Sequence, residues 1–134
     1  MLTFDHLAAG VSAMVPPTEN EVNTHPDLSR PEADVAFTAP EPGLTRRVLA
    51  HNPNLMLVEH RMEPGWVGTR HSHPHDQLVY VLAGRLEFQC GSEPKFEARA
   101  GDSFVVKGGV EHQAWALEAL HVLDVFTPTR QEFL

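Results

Sequence analysis

The segment 65–84, GWVGTRHSHPHDQLVYVLAG, constrains the fold of this chain more than any other. Four polar residues occupy alternate positions in it: His71, His73, His75 and Gln77. In one unbroken strand these side chains would share a face but spread over roughly 20 Å at ~3.3 Å per residue, too far to meet at one ion. Pro74 favours a strand end or a turn, so we predict a corner at residues 74–76 that folds Gln77 back beside His71 and His73.

From residue 44 onwards, the chain consists of short alternating runs separated by turn residues. Eight such runs are predicted to be strands: LTRRVLA, NLMLVEHRM, QLVYVLA, RLEFQC, KFEARA, SFVVK, HQAWA and LHVLDVF. No run has a sustained helical period, and the separators are rich in Gly, Pro and Asn. The pattern predicts an all-β domain over residues 44–134, an antiparallel barrel or a two-sheet jelly roll.

Residues 1–43 have a different composition and are predicted to form an extended N-terminal arm. They contain six of the eleven prolines, and residues 1–42 carry seven acids against one base, so most of the net charge of −8 belongs to this part. Such a segment resists regular structure. Two interpretations stay open, a solvated tail or an arm that lies across the barrel or a partner subunit.

Composition excludes several classes of function. Cys90 is the only cysteine, so neither an intrachain disulfide nor a multi-cysteine zinc site is available, which fits a cytoplasmic protein. No concentrated Lys/Arg field points to nucleic acid, and no apolar run approaches the ~20 residues that cross a bilayer. We therefore expect no nucleic-acid partner and no membrane association.

Two strands place an ionisable side chain on a mainly apolar face. Asp124 alternates with apolar residues in LHVLDVF, and His60 does the same in NLMLVEHRM. A carboxylate in such a setting is a candidate acid or base. For His60, a hydrogen-bonded core residue and an active-site residue are equally compatible with the pattern.

The spacing of the histidines and glycines resembles the two-part signature of the cupin superfamily. The two parts read Gly65-x5-His71-x-His73-x3-Gln77-x6-Gly84 and Gly101-x5-Lys107-x-Gly109-x2-His112. The usual signature has glutamate in place of Gln77, and proline and asparagine in place of Lys107 and Ala116. The resemblance implies an RmlC-like double-stranded β-helix, often a homodimer, that holds one divalent metal ion through four residues: His71, His73, Gln77 and His112. Histidine ligands suit Zn²⁺, Ni²⁺, Fe²⁺ or Mn²⁺.

The glutamine in this signature has a chemical consequence. A neutral amide oxygen can bind a metal without cancelling its charge, so three imidazoles and one amide leave the site near +2 and favourable for an anionic ligand. The alternative is a cupin that has kept its barrel and lost its metal. His75 is either a spare ligand or, at a turn near the rim, a substrate-facing residue.

A narrower resemblance is to the KdgF-like cupins of pectin degradation. It is carried by the run HSHPHDQLVYVLAGRLEF and by the C-terminal DVFTPTRQEFL. That family is associated with converting cyclic 4,5-unsaturated monouronates into linear keto-uronates. The resemblance implies that Asp124 is the acid/base, that Arg130 grips the substrate carboxylate and that Phe126 shapes the pocket. Alternatively, Asp124 pairs structurally with Arg130 and Phe126 is a core residue.

Two other functions remain open from the sequence. An iron-dependent cupin dioxygenase could use the same ligands, and a noncatalytic barrel could bind a sugar acid or another small anion. In each interpretation except a generic oxygenase, the expected partner is a small anionic sugar acid.

Overall fold

The computed structural model describes residues 29–134, and residues 32–134 form one compact unit. Nine strands make up this unit: β1 (Thr38–Glu41), β2 (Leu44–Asn52), β3 (Leu55–Met62), β4 (Asp76–Ala83), β5 (Arg85–Cys90), β6 (Phe96–Arg99), β7 (Ser103–Val106), β8 (His112–Ala116) and β9 (Leu120–Thr127). Two short 3₁₀ helices flank them, Glu32–Asp34 and Gln131–Phe133. The all-β prediction is confirmed.

The strands form two antiparallel sheets. The larger has the order β1-β2-β3-β9-β4-β7, and the smaller has the order β6-β5-β8. Because β9 lies between β3 and β4, the last strand of the chain sits at the centre of the larger sheet. This position brings the C-terminal residues next to the predicted histidine corner.

The boundary between arm and barrel differs from the sequence-based expectation. The sequence assigns residues up to 43 to the arm, but β1 pairs with β2 and the compact unit begins at Glu32. The two prolines in and after β1, Pro40 and Pro42, are compatible with pairing because β1 is an edge strand. The rest of the predicted arm, residues 1–28, lies outside the described residues.

The core is built by the inward faces of both sheets. The larger cluster combines residues such as Val79, Val81 and Val122 with Leu86 and Phe88 of the smaller sheet. A second cluster contains Met56, Val58 and Phe126. In β9 every second residue from Leu120 to Phe126 is buried, as the alternation predicted. Asp124 is one of them, so a carboxylate lies on the inner face between two apolar clusters.

A separate polar cluster covers the opposite, outer face of β2 and β3. Glu59 is 6% exposed and accepts hydrogen bonds from Arg47 Nε at 2.7 Å and from His121 Nε2 at 2.6 Å. Arg47 also reaches Glu32 at 3.2 Å, and its guanidinium lies over the Phe37 ring. These contacts attach the chain that precedes β2 to the sheet.

Among residues 29–134, the helices are single turns and none has the length or apolar character needed to cross a membrane.

Two glycines between strands provide a matched test of why their turns require glycine. Gly84, between β4 and β5, has φ +89°, and a Cβ there would lie 2.1 Å from the Ala119 carbonyl oxygen. Gly101 has φ +93°, but nothing lies within 4 Å of its Cβ position. We expect Gly101→Ala to lower the free energy of unfolding by about 1 kcal/mol through backbone strain alone. Gly84→Ala adds an overlap with backbone and should cost at least ~3 kcal/mol.

Denaturant unfolding of the two variants checks this prediction. Equal losses in both would show that the Ala119 contact relaxes and that the backbone angle alone requires glycine.

Candidate functional site

Three histidines converge where two loops meet the smaller sheet. His71 and His73 precede β4, in a segment that bends at Pro74 and His75, and His112 begins β8. Backbone hydrogen bonds of 3.0 and 2.8 Å join His71 to His112 in both directions. One ring nitrogen of each of the three imidazoles lies within 4.8 Å of the other two. The predicted corner therefore forms, and it brings the two halves of the signature together.

Backbone carbonyl groups fix the orientation of all three rings. The Nδ1 atoms of His71, His73 and His112 lie 2.8, 3.0 and 2.9 Å from the carbonyl oxygens of Thr69, His75 and Val110. A carbonyl oxygen can only accept, so each Nδ1 carries the proton. In the neutral ring, Nε2 then has a free lone pair, which is the arrangement that metal-binding histidines require.

Burial keeps the two inner rings neutral. The pKa of His112 is lowered to about 4, chiefly by removal from water and also by the neighbouring histidines and Arg130, while the Val110 hydrogen bond acts in the opposite direction. Burial also lowers the pKa of His73, with a further contribution from Arg130. At neutral pH both rings are therefore unprotonated at Nε2 and available as ligands.

Gln77 turns its amide oxygen towards the same point. Its Nε2 donates to Asp124 Oδ1 at 2.9 Å, and the carboxylate thereby fixes which end of the amide faces the histidines. The Oε1 atom then lies 3.1 Å from Nε2 of His73. With the His73 proton on Nδ1, two lone pairs face each other across this gap. A cation between them would satisfy both atoms, so the four predicted ligands fit a metal ion.

A row of polar side chains leads from Gln77 across four neighbouring strands. Asp124 Oδ2 lies 2.7 Å from Nδ1 of His60, and His60 Nε2 accepts from Arg46 Nε at 2.9 Å. Arginine can only donate, so His60 Nε2 is the acceptor of this hydrogen bond. The proton of His60 is therefore on Nδ1, which donates a hydrogen bond to Asp124. The order Arg46, His60, Asp124, Gln77 follows the sheet order β2, β3, β9, β4. We call these four residues the polar row.

His71, His112 and the polar row line one cavity of about 260 Å³. Its walls are mixed. The polar part includes His71, His112, Gln77, Asp124, His60, Arg46 and Arg130, and the apolar part includes Trp66, Phe88, Phe126 and Phe133. A volume of this order suits a ligand the size of a monosaccharide.

Arg130 and Phe126 lie where the sequence predicts, but their contacts differ from one alternative considered above. Arg130 lines the cavity and binds Glu132 at 2.9 and 3.0 Å, and the Asp124 carboxylate binds His60 and Gln77 instead. The structural Asp124–Arg130 pair is therefore not formed. Phe126 is 1% exposed and belongs to the core cluster while one side of it lines the cavity.

His75 is placed differently from the expected rim position. It is 9% exposed, packs edge-on near Phe126 and is not among the residues that line the cavity. Its Nδ1 atom is buried and has no hydrogen-bond partner among residues 29–134. The bend after Pro74 turns this side chain behind the site, so His75 neither joins the three ligating histidines nor faces the cavity.

Two cavity residues were missed by sequence reasoning, and a third was left undecided. Arg46 lies directly opposite His60 in the pairing of β2 with β3, and Phe133 belongs to the C-terminal 3₁₀ helix. Arg46 lies outside every motif, and Phe133 lies in the run DVFTPTRQEFL but was given no role there. The only available signal for Arg46 was its alternation on the same face as Leu44 and Val48, next to the equally undecided His60.

Comparison with known proteins agrees with this geometry. Residues 58–126 match the family model described as a cupin domain (Cupin_2). The chain is 34% identical over 94 residues to the pectin degradation protein KdgF of Dickeya dadantii, covering 69% of this chain and 84% of that protein. The structure of KdgF from Halomonas sp. matches with a TM-score of 0.74 and 37% identity, over 79% of this chain and 97% of that one. An RmlC-like cupin from Shewanella frigidimarina matches with a TM-score of 0.74 and 29% identity, over 79% and 95% of the two chains.

The family match spans the inner strands, both histidine loops and Asp124, and the relatives align over most of their own length. The chain therefore belongs to the cupin family and is a KdgF-like member of it.

Proposed function

We propose that this protein is a metal-dependent cupin enzyme that opens cyclic 4,5-unsaturated monouronates to linear keto-uronates. The observation that carries the proposal is the position of Asp124. This carboxylate lies in the cavity wall, one hydrogen bond from the amide of Gln77 and on the same cavity as His71 and His112. The substrate class is the one that the KdgF resemblance implies, and the name of the Dickeya dadantii relative, a pectin degradation protein, is compatible with it.

The residues that would hold one divalent metal ion are His71, His73, His112 and Gln77. When bound, the ion would supply a positive charge that polarises a substrate oxygen at this end of the cavity. All four ligands are neutral, so the charge of the ion would remain available to an anionic or developing oxyanionic group.

The ring opening is an isomerisation that requires two proton transfers. The hemiacetal hydroxyl loses a proton as the bond between the anomeric carbon and the ring oxygen breaks, and the alkene carbon gains a proton as the resulting enol becomes a ketone. Asp124 is the group placed to take the first proton and return one to carbon. Hydrogen bonds from His60 and Gln77 hold the carboxylate in place in the cavity wall.

The cavity also has an aromatic wall. Phe126 and Phe133 lie with their rings 5.6 Å apart at 83°, and both line the cavity beside Arg130. This aromatic wall gives the sugar ring an apolar surface, while Arg46 and Arg130 offer positive charge at the polar positions. Such a division is typical of sites that orient a small polar ligand.

Replacing one ligand tests the metal centre. We expect His112→Ala to weaken the binding of Zn²⁺ or Mn²⁺ by at least about a hundredfold, since even residues that only support metal ligands contribute tenfold or more. Equilibrium dialysis with metal analysis measures the change. His51→Ala, which alters an exposed histidine at the end of β2, is the control. Unchanged occupancy in His112→Ala would remove this residue from the ligand set.

The reaction itself is tested with unsaturated galacturonate and metal-loaded protein. Nuclear magnetic resonance should show the ring alkene disappearing and the linear ketone appearing faster than in the spontaneous reaction. Asp124→Asn, compared with wild type at equal measured metal occupancy, should slow the enzymatic rate by at least about a hundredfold, the usual contribution of a positioned acid/base. A rate equal to the spontaneous one with wild-type protein would exclude this function.

The same assay separates the proposed enzyme from the two other functions. Turnover should be unaffected by removing oxygen, whereas a cupin dioxygenase would stop. Saturable binding of the uronate without turnover, insensitive to Asp124→Asn, would instead identify a noncatalytic binding protein.

A further inference from the structure

We infer that Arg46, on β2, is the residue that binds the substrate carboxylate and makes the cavity selective for sugar acids over neutral sugars. This inference rests on the proposed function for the identity of the sugar acid. It concerns a residue outside both signature motifs, and it changes the role that the resemblance implies for Arg130.

The first argument is that Arg46 is a desolvated cation without an anionic partner. Its Nε donates to His60, and its two terminal nitrogens have no hydrogen-bond or salt-bridge partner among residues 29–134. Burial lowers the pKa of Arg46, and repulsion from Arg130 lowers it further, against attraction from Asp124 and two more distant acids. A half-buried guanidinium of this kind gains most from an anion that brings its own charge into the cavity.

The second argument is that Arg130 already has such a partner. Its Nε and one terminal nitrogen lie 3.0 and 2.9 Å from the same Glu132 oxygen. A substrate carboxylate at Arg130 would compete with this carboxylate, while at Arg46 it would meet free donors. Of the two arginines that line the cavity, Arg46 is therefore the better site for a new anion.

The third argument is the position of Arg46 between the aromatic wall and the acid/base. Its guanidinium carbon lies 3.8 Å from the centre of the Phe133 ring, and that of Arg130 lies 4.1 Å from the same centre. Through His60, Arg46 is two hydrogen bonds from Asp124. In an unsaturated uronate the carboxyl group is attached to one end of the alkene that must receive the proton. Binding it at Arg46 would bring that alkene towards Asp124.

The test compares a sugar acid with its neutral counterpart. Calorimetry with metal-loaded protein measures the affinities for galacturonate and galactose, which differ in the carboxylate and are not substrates of the ring opening. Wild-type protein should prefer galacturonate by about tenfold to a hundredfold, the usual contribution of hydrogen bonds to a charged group. Arg46→Met keeps an unbranched stem over Phe133 and should lose most of this preference.

Three variants serve as controls. Arg130→Met should lose less of the preference because Glu132 already neutralises that arginine. Arg46→Lys keeps the charge without the forked donors and should be intermediate. Arg85→Gln changes an arginine that pairs with Glu97 and Glu118 away from the cavity and should have no effect. A folded Arg46→Met variant with wild-type preference, or a larger loss in Arg130→Met, would overturn the inference.

Two further measurements keep the result decisive. If Arg46→Met does not fold, the side-chain N–H resonances of Arg46 in ¹⁵N-labelled wild-type protein should shift with galacturonate and not with galactose, and unshifted resonances would refute the assignment. If galacturonate does not bind at all, glycolate serves as a minimal carboxylate. Glycolate binding that requires Arg46 would support the anion site while the proposed substrate fails, and glycolate binding that is unaffected by Arg46→Met would reject the site.

Discussion

The direction of each hydrogen bond in the polar row determines the chemistry of the cavity. Arg46 can only donate, so one ring nitrogen of His60 must accept this hydrogen bond. The other ring nitrogen of His60 then donates a hydrogen bond to Asp124. The second carboxylate oxygen of Asp124 accepts a hydrogen bond from the amide nitrogen of Gln77. The amide oxygen of Gln77 therefore faces the histidines. Asp124 is the centre of the row, because its two oxygens accept independently from His60 and Gln77, and it is Asp124 that orients the amide of Gln77 on β4. A neutral glutamine in place of the usual glutamate is what allows this, because only an amide can donate to Asp124 and still offer an oxygen.

Asp124 therefore belongs to two functions at once. It orients Gln77 and it is the proposed acid/base, so a change in its charge would affect both the metal ligands and the substrate. Any measurement on Asp124 variants has to record metal occupancy together with rate. A change at Asp124 should affect the orientation of the three histidines less, because backbone carbonyl groups rather than side chains fix their rings.

Much of the fold and the convergence of the three histidines could be predicted from the sequence, because period-two alternation and the spacing of glycines and histidines are local signals. His112 was predicted only from the second motif, whose spacing is also a local signal. Arg46 and His60 could not be placed, since their contact depends on the register of β2 against β3 and that of β3 against β9. Phe133 returns to the cavity by a turn beyond the last strand, and β1 forms despite its proline because it is an edge strand. The turn at His75 was predicted, but a turn alone does not determine which way its side chain points, and here the imidazole packs near Phe126 instead of facing the cavity.

The Glu59 cluster on the outer face has a consequence for how this protein can change over time. Arg47 and Glu59 are sequence neighbours of Arg46 and His60, yet strand alternation sends them to the opposite side of the same sheet. The inner pair serves the ligand and the outer pair fastens the chain before β2. A mutation in one pair leaves the other pair in contact. The outer face can therefore change in sequence while the residues that line the cavity keep their contacts.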